Sequence, residues 1–159
     1  MAFFCNFTAY YFLELMNLME SLENAGVPVV VELPKVHDPR GNLSFIEGPG
    51  HVPFDIKRVY YIYDVPGGET RGSHAHKTLQ QLLVAVAGSF TVVLEDGINR
   101  YEFFLNHPWL GLYIPPGYWR TLDDFSSGAV CMVLASQHYD EEDYIYDHQE
   151  FLRYKGLES

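Results

Sequence analysis

The stretch that decides the fold is Gly68–Lys77, GETRGSHAHK, in which a glycine-rich turn leads into two histidines one residue apart. Side chains alternate along a strand, so His74 and His76 would share a face, about 6–7 Å apart along the chain. Ala75 would point to the other face. Two imidazoles on one wall suit either metal binding or paired proton transfer. The same sequence would also fit two histidines at the protein surface or at the edge of the core that have no catalytic role.

Short apolar runs separated by turn residues surround this segment, and they predict β-strands. Aromatic residues make up 16% of the chain, which also favours strands. Roughly eight to ten short strands with closely spaced turns predict an all-β fold, for which we choose a jelly-roll barrel. The predicted strands outside the histidine segment span residues 27–33, 43–47, 57–64, 79–87, 90–94, 100–105, 112–114 and 129–135.

One short helix is predicted, at the C-terminal end. Acidic residues favour a helix N-terminus, so the run Asp140–Asp143 would begin it and residues 144–154 would continue it. We interpret the acidic run as a solvent-exposed helix start. Residues 1–25 are predicted to be an N-terminal extension, either a short amphipathic helix or a segment that precedes the domain, and residues 26–159 a single domain.

Charge and cysteine content narrow the functional classes. The 159 residues include 10 Lys and Arg against 21 Asp and Glu, a net charge of −11, which argues against nucleic acid or an anionic membrane as partner. Eight of the ten cations lie between residues 35 and 120, where a small anion could bind. Cys5 and Cys131 are too few and too far apart for a disulfide framework or a zinc site. They indicate reduced thiols in a cytoplasmic protein.

The histidine segment resembles the first motif of the cupins, a superfamily of jelly-roll barrels. Gln81 stands where that motif has a metal-binding glutamate, and Arg120 stands where the second motif, after Pro116 and Gly117, has a histidine. A guanidinium does not ligate metals, and a neutral amide is a weak ligand. The sequence therefore predicts a cupin barrel without a metal. The residues that match the first motif are Gly68, His74, His76 and Gly88.

A closer resemblance covers about residues 28–155. The segments that carry it are residues 38–41, 56–62, 71–77, 119, 124–127, 133–136, 139–141 and 143–145. These segments are similar to those of the WxcM-like sugar 3,4-ketoisomerases, a cupin family that acts on dTDP-4-keto-6-deoxy-glucose in deoxysugar biosynthesis. The resemblance implies an isomerase that needs no cofactor and forms a homodimer.

The resemblance also implies roles for individual residues. His74 matches the family's base near C3 of the sugar, and His76 matches a partner that relays protons at the C3 and C4 oxygens or at C4. Tyr60 matches an active-site tyrosine that faces the sugar. Guanidinium groups suit bidentate binding of phosphate, although a surface salt bridge explains each arginine equally well. The candidate substrate-binding residues are Arg40, Arg58 and Arg71.

Two other functions remain open at this stage. A dTDP-sugar 3,5-epimerase shares the jelly roll, but its usual base is a single histidine paired with an aspartate, so the His74–His76 pair argues against it. A non-catalytic sugar-binding cupin is the alternative from another class. Residues 27–33 are apolar on both faces, as expected of a strand that is either buried or paired with another chain.

Overall fold

The computed structural model describes residues 26–48 and 50–158, and the predicted N-terminal extension lies outside them. Twelve strands, one 3-10 turn and one short helix follow each other in these two ranges. They are β1 (Val29–Glu32), β2 (Lys35–Asp38), β3 (Gly41–Ser44), β4 (Arg58–Ile62), β5 (Arg71–His76), β6 (Gln81–Ala87), β7 (Phe90–Glu95), β8 (Arg100–Leu105), β9 (Leu110–Ile114), β10 (Trp119–Asp123), β11 (Val130–Ala135), the 3-10 turn (Glu141–Asp143), β12 (Tyr144–Ile145) and α1 (His148–Tyr154).

Two five-stranded antiparallel sheets build the domain. The first has the strand order β1-β9-β6-β11-β4, the second has the order β12-β5-β10-β7-β8, and β2 and β3 form a separate hairpin. Apolar residues of both sheets form one buried cluster, including Leu83 and Val133 from the first and Phe90, Leu94 and Leu122 from the second. The all-β, cupin-type jelly roll with a short C-terminal helix is thereby confirmed.

A second apolar cluster covers part of the other face of the first sheet. Leu82, Tyr113 and Leu134 point to this side, where Val52 and Phe54 from the segment before β4 pack against them. The first sheet is thus buried on both faces along β6 and β9, which explains why their sequences read as continuous apolar runs.

The C-terminal helix begins later than the sequence predicts. Residues 141–143 form only a 3-10 turn, Tyr144 and Ile145 then pair with His76 and Ala75 on β5, and α1 starts after its N-cap Asp147. The strand pairing interrupts the acidic start because Ile145 is almost completely buried and stays on the sheet. No helix in residues 26–48 and 50–158 is long and apolar enough to cross a membrane.

Candidate active site

An open cavity of about 610 Å³ is lined by residues of both sheets. That volume falls in the range of small-molecule sites. Three arginines line it, and no aspartate or glutamate of the described residues does, although the chain as a whole carries a net charge of −11. The cavity is therefore suited to an anion. Its polar lining includes Arg58, Tyr60, Arg71, His74, Gln81, Arg120 and Tyr144.

A bulge in β5 aims His74 into this cavity. His74 pairs with Arg120 of β10, and the register between the two strands shifts immediately beyond that pair. Gly72 has φ +87, and a Cβ atom there would lie only 3.0 Å from the Arg120 carbonyl oxygen, so glycine allows the close approach. Ser73 also adopts a positive φ of 55. Bulges commonly redirect a side chain beside an active site, and this one sets a histidine opposite an arginine.

His74 is a neutral imidazole whose Nε2 carries the lone pair. Its Nδ1 lies 3.0 Å from the Gly72 carbonyl oxygen, and because a carbonyl only accepts hydrogen bonds, Nδ1 holds the hydrogen. Burial, reinforced by the positive charge of Arg120, lowers the pKa of His74 to about 4. The side chain is consequently in its proton-accepting form at neutral pH.

His76 lies behind His74, deeper in the wall. The two ring centroids are 5.0 Å apart, and the ring of Tyr144 packs against His76 at 4.2 Å. His76 is only 1% exposed, and its Nδ1 lies 3.0 Å from a carboxylate oxygen of Asp143. The structure therefore brings the two predicted histidines together, but only His74 lines the open cavity among the described residues.

Tyr60 and Gln81 form a second polar pair in the cavity wall. The Gln81 amide nitrogen donates to the Tyr60 hydroxyl oxygen over 2.8 Å, which leaves the hydroxyl hydrogen for a ligand. Burial raises the pKa of Tyr60, so its hydroxyl remains protonated at neutral pH. The guanidinium of Arg58 lies 5.2 Å from the centre of the Tyr60 ring. Tyr60 and Arg58 thus both stand where the sequence places site residues.

Arg120 is a site residue that the sequence did not single out as one. It is 4% exposed and lies across the strand pair from His74, and burial lowers its pKa to about 10, which still leaves it charged at neutral pH. In the sequence, Arg120 is recognised only as a residue that replaces a metal-binding histidine of the second cupin motif. That replacement could itself have indicated a site residue, since a cation at a position that faces the barrel interior needs an anionic partner.

Unpartnered polar atoms concentrate at this site. Across residues 26–48 and 50–158, four buried side-chain atoms lack a hydrogen-bond partner, and all four belong to residues in or directly behind the cavity wall. Buried polar groups normally have partners, so such a cluster indicates a place that a polar ligand fills. The atoms are Arg58 Nε, His76 Nε2, Gln81 Oε1 and Arg120 Nε.

Of the predicted substrate-binding arginines, Arg40 lies elsewhere. It sits in the turn between β2 and β3, where its side chain is 90% exposed and bonds Asp38 at 2.8 Å. Arg58 and Arg71 line the cavity. Arg40 therefore forms a surface salt bridge with Asp38 and does not line the cavity of its own chain.

The donor set does not fit a metal ion, although many cupin barrels hold one. Gln81 and Arg120 occupy the two substituted motif positions, and the structure sets both in the cavity with His74. A permanent cation among the would-be ligands repels a metal ion. No group of three or more potential metal ligands occurs among the described residues.

We therefore expect activity to be independent of metals. Dialysis against EDTA should leave kcat unchanged, and elemental analysis should find no stoichiometric transition metal in the purified protein. One tightly bound zinc or iron per chain, with activity lost on its removal and regained on its return, would contradict this expectation.

Fold and site together define a cupin-type barrel. Its ligand pocket holds a neutral histidine and three arginines in place of a set of metal-binding side chains. The chain belongs to the family described as FdtA, WxcM-like, C-terminal, which matches residues 27–156. It is 50% identical over 125 residues to the TDP-4-oxo-6-deoxy-alpha-D-glucose-3,4-oxoisomerase of Aneurinibacillus thermoaerophilus, covering 79% of this chain and 90% of that one.

Solved structures give the same result. A 3,4-ketoisomerase from Helicobacter canadensis matches with a TM-score of 0.79 and 43% identity, over 81% of this chain and 97% of that one. A mutant of the 3,4-ketoisomerase QdtA from Thermoanaerobacterium thermosaccharolyticum, in complex with TDP-4-keto-6-deoxyglucose, matches with a TM-score of 0.79 and 41% identity, over 80% and 93%. The resemblance to sugar 3,4-ketoisomerases in the sequence is thus confirmed.

Proposed function

We propose that this protein moves the keto group of dTDP-4-keto-6-deoxy-glucose from C4 to C3. The observation that carries the proposal is the cavity in which a neutral His74 faces the buried cation Arg120. Relatives at 50% and 41% identity carry the names of such enzymes or bind that sugar nucleotide. The diphosphate of the substrate also matches a pocket lined by arginines and by no carboxylate of the described residues.

His74 begins the reaction as the base. The C4 ketone acidifies the hydrogen on C3, and Nε2 of His74 removes it as a proton while the electron pair moves towards the C4 oxygen. An enediolate results. The protonated His74 then gives its proton to C4, the C3 hydroxyl gives up its own proton, and the carbonyl forms at C3. The proton from the C3 oxygen finishes on the C4 oxygen, and His76 is the group that relays it. Electrons and protons balance within the sugar, so no redox cofactor is needed.

The surrounding groups stabilise the negative charge of the enediolate. Arg120 is positioned by its strand pairing and has little access to water, so its charge acts in a medium of low polarity. The Tyr60 hydroxyl offers its hydrogen to a sugar oxygen. Arg58 and Arg71 line the same cavity and are suited to the diphosphate.

The decisive experiment is incubation of the full chain with freshly prepared dTDP-4-keto-6-deoxy-glucose, followed by NMR of the product. A 3-keto sugar supports the proposal, and the configuration at C4 distinguishes galacto from gluco product. Inversion at C3 and C5 with the ketone still at C4 would instead establish the epimerase alternative. Saturable binding of the nucleotide sugar without any turnover would establish the sugar-binding cupin.

The proposal also includes the setting of the reaction. It requires no cofactor, nucleic acid or membrane, and it places the protein in the cytoplasm. The free thiol of Cys131 agrees with that location, because cysteines of proteins in a reducing compartment usually remain unpaired.

We further propose that two copies of the chain pair through the outer face of the first sheet. An apolar groove runs along this face, and Val59, Val86 and Phe45 at its lining are between 38% and 46% exposed. Strand β1 lies at the edge of the same sheet, bonded to β9 alone among the described strands. Exposed apolar patches and free strand edges of this kind are typical of interfaces.

Light scattering should accordingly give about twice the 18.3 kDa of the chain. The Val59→Asp substitution, which places a charge in the groove, should produce monomers. The matched control is Ile98→Asp, because Ile98 is 80% exposed on the β7–β8 turn and lies outside the groove. Monomeric wild-type protein at micromolar concentration would contradict the proposal.

A further inference from the structure

Asp143 is a buried carboxylate that the reaction as described does not use. It ends the 3-10 turn before β12, is 8% exposed, and contacts His76 from a position 67 residues further along the chain. Its Oδ1 lies 2.6 Å from the Thr78 hydroxyl and 2.8 Å from the Thr78 backbone nitrogen, and its Oδ2 lies 3.3 Å from the Leu79 backbone nitrogen. Both oxygens are thus occupied on the protein side.

These contacts fix the direction of the bond to His76. Backbone N–H groups only donate, so Oδ1 and Oδ2 of Asp143 both act as acceptors. The hydrogen between Asp143 Oδ2 and His76 Nδ1 therefore belongs to the imidazole. With Nδ1 protonated, the lone pair of the neutral ring is on Nε2, the buried atom that has no partner among the described residues.

From this geometry we infer that Asp143 is a positioning residue, which holds His76 in the tautomer whose Nε2 accepts a proton. The inference rests on the proposed function and extends it to the second histidine. When Nε2 takes the proton of the C3 hydroxyl, the ring becomes a cation, and the adjacent carboxylate stabilises it until the proton passes to the C4 oxygen. His76 gains one proton from the C3 oxygen and gives one to the C4 oxygen, so His76 and Asp143 return to their starting states.

A purely structural role for Asp143 makes different predictions. The same two segments are also joined by the Lys77 backbone nitrogen, which donates to the Asp143 carbonyl, and by the Lys77 ammonium, which donates to the Glu142 carbonyl. Asp143 could then serve only to tie residues 77–79 to the turn before β12. In that case its loss would reduce stability without regard to His76.

The test is Asp143→Asn, which keeps the size of the side chain. If the amide oxygen accepts the two Thr78 bonds, the amide NH₂ faces His76 Nδ1 and donates to it, so the ring hydrogen moves to Nε2. We expect kcat to fall at least about tenfold, the usual cost of losing a partner that orients a histidine, with KM for the nucleotide sugar nearly unchanged. The ¹⁵N spectrum of His76 should show the hydrogen on Nδ1 in the wild type and on Nε2 in the variant.

Two comparisons separate positioning from stability. In a His76→Asn background, Asp143→Asn should lower kcat no further, because residues that act as a unit are not additive. Lys77→Met is the matched control, since it removes a tie between the same segments without touching either side chain, and it should keep wild-type kcat.

The outcomes are distinct from those that would overturn the reaction itself. An active wild type with an equally active Asp143→Asn variant refutes the positioning role and leaves the ketoisomerase intact. A wild-type ¹⁵N spectrum that shows the His76 hydrogen on Nε2 also refutes the positioning role. This measurement needs neither substrate nor a folded variant. A wild type that makes no 3-keto sugar but holds hydrogen on Nδ1 instead refutes the proposed reaction.

Discussion

The His74→Asn substitution is expected to lower kcat by about 10²–10⁴-fold, the usual contribution of a general base. Asparagine keeps the approximate size and some hydrogen bonding of the imidazole but has no basic nitrogen. Affinity for dTDP should hardly change, because the arginines that we propose bind the diphosphate remain in place. Steady-state kinetics and calorimetric titration with dTDP measure the two effects separately.

Hydrogen exchange distinguishes the two histidines. In deuterated solvent the His74→Asn variant should lose exchange at C3 of the substrate, whereas a His76→Asn variant should retain part of it while turnover slows. Exchange that persists without His74 and vanishes without His76 would reverse the assigned roles. Turnover at the wild-type level in both variants would refute the catalytic assignment of the two histidines.

Replacing Arg120 should have the second-largest effect. Arg120→Met removes the cation that faces the enediolate and should lower kcat by about 10²–10³-fold, as the loss of one stabilising donor does in other enzymes. It should also raise the pKa of His74, because the Arg120 charge is one of the two causes that lower it. His74 accepts protons only above its pKa, so activity is lost as the pH falls through that value. The acid limb of kcat/KM, near pH 4 in the wild type, should therefore move upward in the variant.

Arg71→Met provides the control for this experiment. Arg71 lines the same cavity and is suited to binding the diphosphate, but the pKa of His74 is lowered by burial and by the charge of Arg120. Its loss should raise KM and weaken dTDP binding while the acid limb stays in place. If Arg120→Met left both kcat and the acid limb unchanged, Arg120 would have no part in the chemistry.

The sequence predicts those parts of the fold in which local pattern and tertiary position agree. Residues 100–105 alternate and become β8 with the predicted bounds. The hairpin of β2 and β3 is different, because the strand Lys35–Asp38 is polar and largely exposed, and only its pairing with residues 41–44 makes it a strand. Trp119–Asp123 is likewise defined by its neighbours β5 and β7.

The site divides in the same way. His74 and His76 are visible because their spacing matches the period of a strand. The sequence does not identify Asp143 as a site residue, because an acidic run resembles an exposed helix start. Only the pairing of β12 with β5 buries Asp143 beside His76. Arg120 is visible only as a missing ligand, because its partner His74 is contributed by another strand. Contacts between distant segments leave no local pattern.

The place of β12 in the chain has a consequence for biosynthesis. Strands β1–β11 end by residue 135, and His74, the three arginines and most of the cavity wall leave the ribosome with them. Asp143 and Tyr144, which contact His76, follow only afterwards. A nascent chain can thus form most of the barrel while β5 still has an unpaired edge, and the proton relay is completed when the last strand docks. Turnover is therefore expected only from chains whose synthesis has passed residue 145.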